Sequence, residues 1–411
     1  MATQTRSDIL PVILGGDKAS YPLAREFHEA FGVRSICVVP APLKIIEKSK
    51  IIDHYPTAGL GEDDVRTALL DLSHKHPDKK LVVMMNSDAA VETAERVVAL
   101  GLPDNVICQL PPHDVMLRAS DKVEFARMCE LYGLDAPHSE VVSLAGDAPI
   151  APTKIAFPLV AKPTASSIDY TRLYAKGFKK IYFVREQAEL DRLWHDLRAE
   201  GYEGSFLVQE LIEGDDTYVD MITIYVNRSG KPTMFVSSQV LLEEHAPTLF
   251  GNPAAMITRP MPELWEKVAH MLTDIGWRGF ANFDMKRDPK SGRTIFMDFN
   301  PRIGANSYYA VAGGVNPMRT LVDDVVDGTD EVRRIDREAL YTRAPVSLVR
   351  RYLVDPALRA EFDAIVRRGD VYNPMRYPAD GWAARQLGLL MTENYVRKFR
   401  QYYPHVTSTS F

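Results

Sequence analysis

The segment 279–306 (GFANFDMKRDPKSGRTIFMDFNPRIGAN) constrains the fold more than any other stretch of the chain. It reads as a strand, a polar reversal and a second strand. The reversal Asp288-Pro289-Lys290-Ser291-Gly292 carries the turn formers that close a hairpin. Side chains alternate across a strand, so Asn282, Asp284 and Lys286 share one face of the first arm. Phe296, Asp298 and Asn300 share a face of the second. The alternate positions, Phe283, Met285, Ile295 and Met297, are apolar and predict a core-facing side. Pairing symmetric about Ser291 sets Asp284 opposite Asp298 and Asn282 opposite Asn300. Facing carboxylates repel, and a divalent cation between them removes the conflict. Hard oxygen donors in such small number suit Mg²⁺, which completes its shell with phosphate oxygens. Arg302 follows at once, a cation where phosphoryl charge would develop. Acids on an open hairpin face are usually just solvated, but a solvated hairpin seldom combines them with an apolar reverse side. The segment therefore points to phosphoryl transfer from Mg-ATP.

At 411 residues the chain predicts two or three domains. Upstream, short apolar runs alternate with helical stretches: strands at 9–14, 35–39, 81–85 and 106–110, and helices over 21–31 and from about 88 to 100. That alternation predicts a doubly wound parallel sheet over residues 1–117. Gly15-Gly16-Asp17 falls at a strand's carboxyl end, where such sheets bind ligands. The turn reads equally as a plain reversal or a substrate-contacting loop, and GxGxxG is absent. A second unit spans 118–330. Ser120-Asp121-Lys122 opens a helix over 123–132 with N-cap chemistry. Strands are expected at 157–162, 206–211, 218–226 and 233–240, with an amphipathic helix over 263–275 and another over 317–326. Residues 331–411 form a mainly helical extension in which no chemistry is evident, so packing or dimerisation is its default role.

A net charge of −6 excludes general attraction to nucleic acid or anionic membranes. No apolar run approaches the roughly 20 residues of a membrane helix, and the first residues lack a signal pattern. Cys37, Cys108 and Cys129 show no CxxC spacing and read as idle thiols in a reducing cytoplasm. There is no GxSxG and no Cys/His pair. His113 and His245 read as surface or substrate-edge residues.

The order Lys122, strand-terminal Lys162, Gln209-Glu210-Leu211-Ile212, then Asp284, Asp298, Asn300 and Arg302 resembles the ATP-grasp superfamily of carboxylate–amine ligases. The resemblance covers roughly residues 8–328. Within it, the chain looks most like the D-aspartate ligase group of peptidoglycan side-bridge synthesis, through Pro11 to Asp17, Ala24 to His28, Lys162-Pro163 leading to Gly177-Phe178-Lys179-Lys180, and Asn300-Pro301-Arg302 with Ser307-Tyr308-Tyr309 and Ala312-Gly313-Gly314. This implies an α/β fold with a two-lobed α+β clamp around ATP. Lys122 and Lys162 would meet its phosphates, Lys180 would also bind the nucleotide, Gln209, Glu210 and Ile212 would meet the adenine, and Asp215 or Asp216 the ribose. Mg²⁺, with Mn²⁺ as the alternate ion, would sit on Asp284, Asp298 and Asn300. Arg302 and Lys162 would be catalytic. The carboxylate substrate would lie among Gly16, Asp17, Arg302, Asn306 and Ser307, with Arg259 or Arg278 on a second carboxylate. The acceptor would be an amine, in the peptidoglycan case a diamino-acid side chain of a nucleotide-linked precursor, and the family's habit is a homodimer.

The chain departs from the superfamily in three places. Thr164-Ala165-Ser166-Ser167 replaces a glycine-rich phosphate loop, where the hydroxyls of Ser166 and Ser167 would substitute. The second metal acid is Asp298 rather than glutamate, and Asn282 stands where arginine is frequent. Rival readings are a ligase for another amino acid or peptide, an ATP-grasp kinase, and an ATP-binding regulator without turnover.

Overall fold

The computed structural model describes residues 5–164, 170, 172–179, 181–246 and 249–407. Ser166, Ser167 and Lys180, expected on the nucleotide phosphates, lie outside the described residues. The first sheet is parallel, in the order Ile52–Tyr55, Ser35–Val38, Ile9–Leu14, Lys80–Met84, Val106–Cys108. Every residue of Ile9–Leu14 is buried, as a strand covered on both faces requires. Its alternate side chains feed two separate cores. Ile9 and Ile13 pack with Phe27 and Phe31 of the helix Ser20–Phe31. Leu10, Val12 and Leu14 pack with Leu69 and Leu72 of Glu62–Lys75 and Val91 of Asp88–Ala99. Strand order reverses between Ile9–Leu14 and Lys80–Met84, so the loops following both strands border the crevice where such sheets bind ligands. The strand Ile52–Tyr55 and the helix Glu62–Lys75 were not expected. The strand is a short edge whose centre, Asp53 and His54, is exposed, so it lacks an apolar signal.

A second, antiparallel sheet runs Ser139–Ser143, Ser205–Glu210, Leu159–Pro163, Tyr182–Val184. The third and largest starts with the hairpin, Thr294–Asn300 and Gly279–Arg287, and continues through Val219–Val226, Pro232–Glu243 and Pro253–Thr258. It ends on Leu340–Thr342 and Val371–Tyr372. The extension after residue 331 therefore completes this sheet as well as supplying helices, among them the long Trp382–Tyr402. No helix among the described residues is long and apolar enough to cross a membrane.

The hairpin pairs Asn282 with Asn300 and Asp284 with Asp298, as the symmetric register requires. Beyond Asp284 the register shifts by a bulge at Met297, so that Met285 faces Phe296. This corrects the expected faces. Phe296 is not on the carboxylate side. It is buried and packs edge-on against Phe283, ring centroids 6.0 Å apart. At this edge of the sheet the Phe296 N–H donates to the Asp135 carbonyl (2.7 Å), a partner from outside the hairpin.

Candidate active site

Period-two geometry delivers the central acids. Asp284 and Asp298 face each other across the ladder, and Asn300 lies on the same face. Asn300 Nδ2 donates to Asp284 Oδ2 (3.0 Å), while its Oδ1 accepts from Arg302 Nη2 (3.2 Å). Arg302 Nε donates to Asp88 Oδ1 (2.8 Å), at the start of the helix that follows Lys80–Met84. The guanidinium is thus held between the hairpin and the switch-point crevice of the first sheet. Beneath it, Thr223 donates to Asn282 Oδ1 (2.7 Å) and Tyr309 to the Thr223 hydroxyl (2.9 Å). The asparagine at the usual arginine position is therefore built into a buried network.

Two lysines close on Asp298 from separate elements. Asp121 caps the helix Lys122–Leu131 by accepting from the Val123 and Glu124 amides, and Lys122 at its first turn pairs with Asp298 Oδ1. Lys162, near the end of Leu159–Pro163, reaches Asp298 Oδ2 at 3.5 Å. Burial opposes charge on both. At Lys122 the Asp298 carboxylate outweighs burial and holds the ammonium above the ordinary lysine range. Lys162, farther from Asp298 and beside Lys122, is pushed down to about 8, chiefly by burial.

Among the described residues no three His, Cys, Asp or Glu side chains gather as a metal site. The hairpin offers two carboxylates and one amide oxygen, a hard-oxygen set that fits Mg²⁺ taking its other ligands from phosphate and water. Asp298 is the shared counter-charge of Lys122 and Lys162, so an ion there would take the place of these two ammonium groups.

The remaining expected residues are distributed around this centre. Gln209 is buried, with Nε2 3.9 Å from the sulfur of the bulged Met297, and Ile212 is buried. Glu210 Oε1 accepts from the His138 amide (2.9 Å). Asp215 caps its own turn through Thr217, and Asp216 accepts from the Glu243 amide (2.8 Å) and pairs with His245 Nε2 at 3.0 Å. His245 is buried and stacked on Tyr403, which corrects its reading as a surface residue. His113 is exposed beside Glu95. Gly16 lies where a Cβ would come within 2.6 Å of the Val39 side chain, and Asp17 accepts from the Ala19 and Ser20 amides. Asn306 and Ser307 are buried. Asn306 Nδ2 points at the sulfurs of Met221 and Met256, and Ser307 Oγ donates to Glu26 Oε1 (2.6 Å). Arg259 is paired with Glu338 and Glu361, and Arg278 donates to the carbonyls of Arg228 and Trp277.

Along nearly its whole length the chain is similar to a D-aspartate ligase of Enterococcus faecium (strain Aus0004), at 25% identity over 410 residues that cover 96% of this chain and 97% of the relative. In structure it resembles an L-amino acid ligase from Bacillus licheniformis, with a TM-score of 0.54 and 17% identity over 78% of this chain and 75% of that one. It also resembles the biotin carboxylase domain of a Hydrogenobacter thermophilus 2-oxoglutarate carboxylase in complex with MgADP, with a TM-score of 0.57 and 14% identity over 80% and 73%. The chain has the ATP-grasp fold. No family model matches it.

Several polar partners near the site escaped the sequence reading. Asp88 orients Arg302 from more than two hundred residues away. Lys286, on the Asp284 face of the hairpin, is buried beside Glu243. Desolvation drives the pair apart from their usual values, Glu243 up to about 8 and Lys286 down. Period two already put Lys286 on that face; the sequence carried no sign of its partner.

Glu26 is the other. It is fully buried on Ser20–Phe31, holds Ser307, and leaves Oε2 without a partner. Burial pushes its carboxyl up from 4.5 to about 8. The folded state therefore binds a proton that the unfolded chain has released, so stability falls as pH rises from about 4.5 to about 8. Glu26→Gln keeps a donor–acceptor head without the charge. It should melt higher than the parent at pH 8 and differ little at pH 5, a comparison two thermal scans decide. Equal melting shifts at both pH values would show that folding does not raise the Glu26 carboxyl.

Proposed function

We propose that this protein is an ATP-dependent, ADP-forming carboxylate–amine ligase acting on an amino acid, with D-aspartate favoured. The observation that carries the reading is the convergence of Asp284, Asp298 and Asn300 with Lys122, Lys162 and Arg302 from three separate elements. The whole-length likeness to a D-aspartate ligase supports the choice of acid.

In this reading ATP lies between the two antiparallel sheets. Lys122 and Lys162 leave Asp298 for the phosphates as point charges. Asp284, Asp298 and Asn300 would hold Mg²⁺, which would supply charge neutralisation at the phosphates. A carboxylate oxygen of the substrate attacks the γ-phosphorus, the bond to the β,γ-bridging oxygen breaks, and ADP leaves with that electron pair. Arg302 faces the charge that develops on the transferring group. The acceptor amine then attacks the acyl carbon, the C–O bond to phosphate breaks, inorganic phosphate departs, and the amine loses a proton. No side chain serves as a covalent nucleophile, and positioning supplies much of the rate. The amine acceptor is proposed as the side-chain amine of a diamino acid in a peptidoglycan precursor.

ADP release from Mg-ATP across a panel of D- and L-amino acids, with hydroxylamine as surrogate amine, tests this. D-aspartate should give ADP and a hydroxamate in equal amounts. Hydroxamate with a different acid would keep the chemistry and change the substrate. ADP-free incubations with every acid, from folded protein that binds ATP, would sink the ligase reading.

A further inference from the structure

Beyond the hairpin centre lies a second concentration of charge. Lys18 follows the Gly15-Gly16-Asp17 turn, Arg343 follows the strand Leu340–Thr342, and Lys398 projects from Trp382–Tyr402. All three line one cavity of about 80 Å³, with Asn394 and Tyr395 beside them and Met375 and Met391 as its apolar wall. This volume holds a few waters or one small carboxylate, not a nucleotide. Among the described residues a single acid, Glu244, answers the three cations. It pairs with Lys18, accepts from Lys398 Nζ (2.9 Å) and from the Tyr395 hydroxyl (2.9 Å), and is almost wholly buried. The pocket therefore keeps an excess of positive charge.

Arg343 makes the excess pointed. It is 3% exposed, its Nη2 donates to the Ala305 carbonyl, and its Nε finds no partner. A buried guanidinium with an unused donor costs free energy unless a ligand completes it. Ala305 lies between Arg302 and the Asn306-Ser307 pair, and Lys18 is next to Asp17. The pocket thus adjoins both loops expected to hold the carboxylate substrate. Arg343, Lys18 and Lys398 are grouped around one cavity, as recognition of a carboxylate requires.

We infer that this pocket binds the carboxylate of the amino-acid substrate that is not phosphorylated, making the enzyme selective for dicarboxylic amino acids. This rests on the ligase reading above. It also gives residues 331–411 a chemical role, since Arg343 and Lys398 both come from them. Recognition would use charge-assisted hydrogen bonds from Arg343 and the two ammonium groups, with Glu244 holding the lysines in place.

Calorimetric binding without nucleotide tests the pocket independently of turnover. The probes are D-aspartate and its two monoamides, D-asparagine and D-isoasparagine, with sulfate as a plain anion. The protein should bind D-aspartate at least about tenfold tighter than one monoamide, the scale of one lost charge-assisted hydrogen bond. Lys18→Met and Lys398→Met should each weaken D-aspartate by about tenfold and hardly move that monoamide. Arg343→Met should remove the discrimination. If Arg343→Met does not fold, the two partly exposed lysine variants decide the matter. D-aspartate binding unchanged in both lysine variants, absent from the parent protein, or matched by sulfate would overturn the inference. If binding behaves as expected while the hydroxylamine panel yields no ADP, the ligase reading falls and the carboxylate pocket stands.

Discussion

Arg302→Ala is expected to lower ligase turnover by about a thousandfold or more, the scale seen when an arginine facing a transferring phosphoryl is lost, while ATP affinity should change little. The split follows from where the guanidinium sits. It is fixed at two ends, by Asp88 through Nε and by Asn300 through Nη2, so it is placed before the nucleotide arrives. Contacts made with charge that appears only in the transition state act on kcat rather than on ground-state binding. Arg302→Lys should recover little, because one ammonium cannot engage Asp88 and Asn300 together and still face the phosphoryl group. The check is ADP release with the true acid alongside calorimetric ATP binding. Near-normal ADP release from Arg302→Ala would remove the residue from the mechanism, and a parallel loss of ATP affinity would make it a binding group instead.

Asp298→Asn should cost about a hundred- to a thousandfold in turnover, comparable with losing one preorganised electrostatic group, and should raise the Mg²⁺ concentration needed for half-maximal rate. Two effects coincide in this residue. It faces Asp284 across the ladder, so it is half of the carboxylate pair proposed for the ion. It is also the shared counter-charge of Lys122 and Lys162. The amide leaves those two ammonium groups facing each other, so the nucleotide-free variant should also melt at a lower temperature than the parent. Asp298→Glu separates the roles from the fold. Glutamate is the usual residue at this position in the resemblance noted above, and it keeps the charge for both lysines. It should retain far more activity than Asp298→Asn. A Mg²⁺ titration of Asp298→Asn that overlays the parent's would rule out Asp298 as a ligand.

Much of the centre was legible because it is local. The period of a strand places Asn282, Asp284 and Lys286 together whatever surrounds them, and turn chemistry at Asp288 to Gly292 sets the register that brings Asp298 opposite Asp284. Lys162 at the end of an apolar run and Lys122 behind the Asp121 cap were readable on the same grounds. The bulge at Met297 was not: beside it the strand's outer edge meets the Asp135 carbonyl, a partner from a distant segment that no local pattern announces. The same holds for His245, whose loop sequence gave no hint that Asp216 and Tyr403 would enclose it.

By itself, then, the sequence determined the elements and the chemistry they present: a parallel first sheet, a hairpin with paired acids, lysines at a helix start and a strand end, and an arginine just beyond. Short-range periodicity and capping are enough for these, since each depends on neighbours a few residues away. Only the tertiary structure decided which charges meet. Asp88 and Arg302 are 214 positions apart, Glu26 and Ser307 281, and Lys18 and Glu244 226. Burial then set how those groups behave, raising the Glu26 carboxyl, lowering the Lys162 ammonium and leaving Arg343 with a donor to spare. Desolvation and Coulomb terms act between groups close in space and depend on the water excluded around them. No spacing along the chain encodes either quantity.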